Sequence, residues 1–104
     1  MGKKKVVLYP QVQRKLADLG YRIKMARLRR RLSVNLVAER AKVSRYSVTA
    51  VEKGEPSVAM GIYVAVLMAT GLLGDLDLVA KDDLLGHTLQ DMALPQHIRR
   101  KEGE

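Results

Sequence analysis

The sequence predicts an all-α protein that also contains one alternation typical of a short β-strand near its C-terminal end. Apolar residues recur at three- and four-residue spacing in several segments, as on the buried face of a helix. Ser33 and Ser44 precede two of these segments as N-caps do. With 104 residues and no Phe, Trp or Cys, the chain can bury one modest aliphatic core.

The first predicted helix begins at Pro10, because proline suits the first turn of a helix. We expect this helix to run to about Arg31. Gly20 lies inside it and predicts a bend or the close approach of a neighbour. The predicted buried stripe consists of Val12, Leu16, Leu19, Ile23 and Ala26.

Two short helices are predicted next. Ser33 caps the first of them, which ends near Ala41, and Ser44 caps the second, which Gly54 and Pro56 end. About three residues join the two helices, so the pair is predicted to form a helix-turn-helix. Their predicted buried residues are Val34, Val37, Ala38, Ala41, Val48 and Val51.

A fourth helix is predicted over roughly 59–70. It is apolar nearly all round, so we expect it to be buried on more than one side, with a second subunit covering part of it. Residues 75–79 alternate as a half-buried strand does, although their leucines also fit a helical turn. The predicted dimer interface consists of Tyr63, Leu67, Leu76 and Leu78.

A last helix is predicted after Asp82 or Asp83, with Pro95 ending it. Its apolar residues are Leu84, Leu85, Leu89 and Met92. The chain is thus divided into a basic leader (1–9), a helix-turn-helix domain (10–73), an extension for dimerisation or partner binding (74–94) and a charged tail (95–104).

Charge is distributed unevenly along the chain. Residues 1–53 contain fifteen Lys and Arg against three acids, whereas residues 54–104 contain four against eight. A basic half joined to an acidic half predicts that one face meets a polyanion and the other meets protein, although a solvated basic surface is the alternative. The uncharged run 56–74 contains three glycines, so we interpret it as a core helix and a turn rather than a membrane span.

In a helix-turn-helix, the second helix enters the DNA major groove. Arg45 is the best candidate for reading a base, because its planar fork matches the O6 and N7 acceptors of guanine. The predicted base contacts are Arg45, Tyr46, Thr49 and Ala50. The predicted phosphate contacts are Ser33, Asn35, Lys42, Ser44, Ser47 and Lys53. A run of three arginines, 29–31, fits either DNA contact or solvation at a helix end.

Residues 19–72 resemble the DNA-binding domain of the Cro/cI, or Xre, family of repressors. The resemblance rests on the spacing of Leu32-Ser33, Ala38-Glu39-Arg40-Ala41, Val43-Ser44 and Val51-Glu52-Lys53-Gly54. It implies a five-helix lambda-repressor-like domain that binds palindromic operators as a dimer, and an ion pair between Arg27 and Glu52. Val34 replaces the family's usual glutamine, and Lys42 replaces the usual turn glycine.

The segment from Gly71 onward is similar to the C-terminal part of HipB-type antitoxin regulators. That similarity implies a strand that pairs across the dimer, a HipA-like kinase toxin as partner, and an antitoxin that represses its own operon. A stand-alone Xre-type repressor, or an antitoxin that acts mainly by binding protein, is the alternative.

No enzyme, cofactor or metal site is predicted. His87 and His97 are not spaced as metal ligands, and there is no cysteine. The absence of cysteine also favours a reducing compartment, so the expected location is the cytoplasm, in association with the nucleoid.

Overall fold

The computed structural model describes residues 6–93, which form five α-helices and one 3-10 helix. The helices are α1 (Pro10–Arg29), α2 (Val34–Ala41), α3 (Arg45–Glu52), α4 (Met60–Ala69), the 3-10 helix (Leu73–Leu78) and α5 (Leu84–Ala93). The described part contains no strand, and the all-α class is confirmed. Residues 1–5 of the leader and the predicted helix end at Pro95 lie outside the described residues.

The first four helices form the four-helix body around a single aliphatic core. Each of the four helices contributes at least one fully buried side chain to this core. The buried side chains recur at helical spacing, and this spacing made the apolar stripes detectable in the sequence. The largest fully buried apolar residues are Ile23, Val37, Val48, Val51 and Val66.

Helices α1 and α3 approach each other backbone to backbone at two glycines. A Cβ atom at Gly20 would lie 2.5 Å from the Val51 carbonyl oxygen, and one at Gly54 would lie 2.6 Å from the Ala17 Cα atom. The Gln13 side-chain amide donates a hydrogen bond of 3.0 Å to the Gly54 carbonyl at the same crossing. Gly20 therefore marks a close approach, one of the two interpretations that the sequence left open.

Four helices end in the same hydrogen-bonded turn around a residue with positive φ. This residue is Arg31 after α1 and Lys42 after α2, whereas it is Gly54 after α3 and Gly71 after α4. After α2, the Val43 amide donates to the Ala38 carbonyl at 3.0 Å and the Lys42 amide to the Glu39 carbonyl at 3.3 Å. Two of the four left-handed positions thus hold a basic side chain.

The expected strand at 75–79 is not found, because the 3-10 helix Leu73–Leu78 occupies this segment. The Asp75 amide donates to the Leu72 carbonyl at 3.0 Å, and the Val79 amide donates to the Leu76 carbonyl at 3.2 Å. These three-residue hydrogen bonds satisfy the backbone locally, without a partner strand. The helical interpretation of the leucine spacing was therefore the correct one.

Tyr63 and Leu67, which the sequence predicted at a dimer interface, are each only 6% exposed within the protomer, so most of their surface is covered by their own chain. Helix α4 packs against α2, α3 and the 3-10 helix, which cover most of its apolar residues but leave Met60 67% and Met68 45% exposed. The Tyr63 hydroxyl donates a 2.8 Å hydrogen bond to the Glu55 carbonyl. Burial, together with the nearby charge of Glu55, raises the pKa of Tyr63 to about 12.

Residues 73–93, called the C-terminal segment here, contain no buried residue. Asp83 caps α5, because its Oδ1 atom accepts a 2.9 Å hydrogen bond from the Gly86 amide. Leu76 is half-buried and Leu78 is exposed, so their role at an interface stays a prediction.

Candidate nucleic-acid interface

Serine caps determine where α2 and α3 begin. The Ser33 Oγ atom accepts a 3.0 Å hydrogen bond from the Leu36 amide, and the Ser44 Oγ atom accepts one of 3.0 Å from the Ser47 amide. Each cap satisfies one of the free amides of the first turn and leaves others available. The two helix starts therefore carry partial positive charge and exposed amide donors.

A buried ion pair fixes α3 against α1. The Arg27 Nε atom lies 2.6 Å from Glu52 Oε2, and Arg27 Nη2 donates to Glu52 Oε1 at 3.1 Å, so the guanidinium fork meets both carboxylate oxygens. Arg27 Nη1 also donates to the Leu32 carbonyl at 3.1 Å. This is the pair that the family resemblance implies, and it joins α1, the α1–α2 connection and the last residue of α3.

An open concavity of about 690 Å³ lies between the start of α2 and the outer face of α3, and we call it the α2–α3 surface. Its lining brings together six residues that the sequence predicted as DNA contacts, from positions that the chain separates by up to eighteen residues. The lining residues are Val34, Asn35, Ser44, Arg45, Tyr46, Thr49 and Lys53.

The charged and aromatic side chains of the α2–α3 surface are available to a ligand. Tyr46 is 79% exposed although it is an aromatic side chain. Arg45 and Lys53 are exposed, and neither forms an ion pair with a carboxylate among residues 6–93. An uncompensated arginine and lysine beside an exposed tyrosine favour an anionic ligand with flat, partly apolar groups.

The serines differ in what they can still donate. The Ser44 hydroxyl donates to Ser47 Oγ at 3.0 Å while it accepts from the Ser47 amide, so its proton is already used. The Ser47 hydroxyl accepts in that contact and keeps its own proton for another acceptor, as does the Ser33 hydroxyl. Of the predicted phosphate contacts on α3, Ser47 is therefore a better hydroxyl donor than Ser44.

Ala50 was wrongly predicted to face outward, because it is only 5% exposed. The chain turns back at Gly54 and brings the Glu55 amide to within 3.0 Å of the Ala50 carbonyl. A methyl side chain projects too little to emerge beside this returning chain. Ala50 is consequently removed from the set of residues that can touch a base.

Lys42, Ser33 and Ser47 lie outside the lining of the α2–α3 surface. Lys42 is exposed and has a φ of 59° and a ψ of 44°, which is the left-handed conformation that glycine adopts without strain. A lysine in this conformation costs about 1 kcal/mol relative to glycine. Its place in the turn between α2 and α3 is consistent with a contact at the edge of the surface.

Sequence reasoning missed two neighbours of this region. Val34 lines the α2–α3 surface itself and gives it an apolar patch. Val6 shares a cleft of about 290 Å³ with Gln13, Lys53 and Pro56, so the chain enters α1 beside the end of α3. In the sequence, the one signal for this position of the leader beside α3 is the run of three lysines that precedes Val6.

Residues 6–93 contain no group of three or more His, Cys, Asp or Glu side chains arranged to hold a metal ion. Over the same residues, no helix combines the length and the apolar character needed to cross a bilayer. Comparison with protein-family models gives no match, and comparison with curated proteins gives none either.

Proposed function

We propose that the protein is a sequence-specific transcriptional repressor that binds a double-stranded DNA operator through the α2–α3 surface. The observation that carries the proposal is the joint exposure of Arg45, Tyr46, Thr49 and Lys53 on one face of a short, rigidly held helix. Helix α3 has the width that the DNA major groove admits, and α2 is proposed to cross the DNA backbone.

The residues have distinct proposed roles. Arg45, in the first turn of α3, reads guanine through its bidentate fork, and Tyr46 and the Thr49 methyl group contact thymine methyl groups or phosphate. Phosphates are held by Lys53, Asn35 and Ser47 and by the free amides at the start of α2. Lys42 and the Ser33 hydroxyl contribute at the edge of the surface.

Two copies of the chain are proposed to bind one palindromic operator. Half-sites would be separated by about 34 Å, which is one turn of DNA, so that both α3 helices enter the major groove on the same side. The bound dimer would block access to the promoter, including the promoter of its own gene. The lambda-repressor-like assignment of the fold belongs to this proposal and is supported by the helix order and the Arg27–Glu52 pair.

More specifically, we propose that the repressor is a HipB-type antitoxin that restrains a HipA-like kinase. The exposed, acidic C-terminal segment supports a protein partner, since all of its leucines except the half-buried Leu76 are exposed in the protomer. The strand that this resemblance implied is replaced by a 3-10 helix, which favours the stand-alone repressor instead. A kinase-like reading frame directly downstream, and its product recovered with the protein from the native host, would support the antitoxin.

Binding to an operator library tests the proposal. Arg45→Ala should lower the affinity and relax the preference at one base pair, at a cost of about 1–3 kcal/mol. Lys53→Ala should weaken binding to all sequences alike and reduce the slope of log affinity against log salt by about 1. Lys81→Ala, which removes an exposed lysine far from the α2–α3 surface in sequence, is the matched control. If Arg45→Ala behaves like this control, the proposed DNA-reading face is wrong.

A further inference from the structure

A second concave surface lies on the body, between α1, α4 and the 3-10 helix. It encloses about 440 Å³, and we call it the α1 groove. Its floor is apolar, whereas its α1 edge carries three exposed arginines, Arg22, Arg29 and Arg30. The apolar floor consists of Leu19, Ile23, Ala26, Leu67, Leu72, Leu76 and Val79.

The arginines at this edge are not neutralised by neighbours. Arg30 uses one guanidinium nitrogen to donate to the Ala26 carbonyl at 3.1 Å. Neither Arg22 nor Arg29 pairs with a carboxylate within residues 6–93, although Asp75 also lines the groove. The α1 groove therefore combines an apolar floor with a net positive rim, which fits an apolar segment flanked by carboxylates.

Helix α5 is a segment of that kind. Leu85, Leu89 and Met92 fall within one narrow stripe of the helix at 100° per residue, and their exposures are 70%, 51% and 77%. The half-buried residues of α5 are instead Gly86 and Gln90, so the apolar stripe is not the side that its own protomer covers.

The charges of the two elements are complementary. Residues 82–93 contain three aspartates and neither lysine nor arginine. The rim of the α1 groove contributes three arginines and one aspartate. Helix α5 itself contains one aspartate, Asp91, and Asp82 and Asp83 lie directly before it. Residues 82–93 together therefore match the basic, apolar groove in both charge and hydrophobicity.

We propose that α5 of one protomer docks into the α1 groove of a second copy of the chain, with its apolar stripe on the groove floor. The contact is reciprocal: α5 of each protomer occupies the α1 groove of the other, so each symmetric dimer contains the contact twice. Val79 lines the groove, and only residues 80–83 separate it from α5. Ala80 has a φ of 61°, and the chain leads α5 away with its stripe exposed.

This inference rests on the proposed function only for the existence of a dimer. It adds which surfaces of the two copies meet, and the lining of the α1 groove shares no residue with the α2–α3 surface. The exchange of an identical element between protomers needs no new fold, because each groove and each helix is already formed.

Disulfide trapping tests the proposal, since the natural chain has no cysteine. One full-length preparation carries Arg22→Cys and a second, distinguishable by a size tag, carries Leu89→Cys. Both positions are exposed, so neither change should disturb folding. Mild oxidation of the mixture, without DNA, should give a disulfide-linked heterodimer as the main product. Replacing Arg22→Cys by Lys24→Cys, on the opposite side of α1, should reduce its yield at least tenfold.

Three results would overturn the proposal. The first is equal trapping with Lys24→Cys. The second is trapping of Leu89→Cys only with itself, which would place α5 against α5. The third is a doubly substituted chain, Arg22→Cys with Leu89→Cys, that closes only within one protomer at every concentration. Operator binding by the untagged, unsubstituted protein is measured in parallel, so a failure of the α1 groove is distinguished from a failure of DNA binding.

Discussion

The four-helix body and the C-terminal segment both contain many leucine, valine and methionine side chains, but only the body buries them within the protomer. Val66 in α4 has no exposed surface, whereas Leu84 in α5 is 81% exposed. The same composition therefore has different consequences in the two regions. In the body it provides the free energy of folding, and in the C-terminal segment it is available for association.

The ion pair of the body should give the largest effect. Glu52→Ala leaves Arg27 buried without its carboxylate and should lower the free energy of unfolding by about 3–5 kcal/mol, as measured by urea denaturation. Glu39→Ala, the control, removes an exposed carboxylate of α2 and should change the free energy of unfolding by less than about 0.5 kcal/mol. Equal midpoints of urea denaturation for the two variants would mean that the Arg27–Glu52 pair does not hold α3 to α1.

A pair of leucines tests the comparison directly. Leu67→Ala in α4 creates a cavity in the core and should destabilise the protein by about 2–5 kcal/mol. Leu89→Ala in α5 should change the stability of the dilute monomer by less than about 0.5 kcal/mol. Thermal and urea unfolding at low protein concentration provide the measurement. A large loss with Leu89→Ala in the monomer would show that α5 belongs to the body after all.

Alkaline pH should weaken the body through Tyr63. Its pKa is about 12 in the folded protein and about 10 in the unfolded chain, so between these values the unfolded state loses the proton first. The free energy of unfolding should then fall by about 1.4 kcal/mol per pH unit, from its full value below pH 10. Tyr63→Phe should remove this contribution from the pH profile. If the free energy of unfolding fell with pH in the same way for the natural protein and for Tyr63→Phe, the alkaline loss of stability would not come from Tyr63.

The smallest expected effect is at the turn between α2 and α3. Lys42→Gly relieves the left-handed side chain and should stabilise the protein by up to about 1 kcal/mol, while it weakens operator binding by removing a positive charge. Lys24→Gly, within α1, should instead destabilise it by about 1 kcal/mol. If Lys42→Gly left affinity for DNA unchanged, the lysine would have no role in binding.

Features that depend on local chemistry were predictable from the sequence. The starts of α2 and α3 were predicted at the residues where they occur, because a serine cap acts within one turn and needs no knowledge of the fold. The inward direction of Val48 and Val51 followed from helical spacing alone. The grouping of Asn35 with Arg45 followed from the predicted helix-turn-helix, because a short connection holds two such helices close together.

Features that depend on how the chain folds back on itself were not predictable. Tyr63 and Leu67 are buried by the body's own helices, and a periodic pattern does not say whether the same chain or a second copy covers a face. Ala50 is covered at the turn after Gly54, which spacing on α3 cannot reveal. Residues 73–78 have a leucine pattern that fits both a strand and a tight helix, and only the local hydrogen bonds distinguish them.

The contact at Gly20 has a mechanical consequence. With no side chain between the two backbones, α1 and α3 cannot slide or tilt independently, and the Arg27–Glu52 pair locks the same two helices one to two turns further along α1. Helix α1 also carries the arginines of the α1 groove. Because α1 and α3 are held together, any displacement of α1 caused by a subunit bound in that groove would also displace the helix proposed to read DNA.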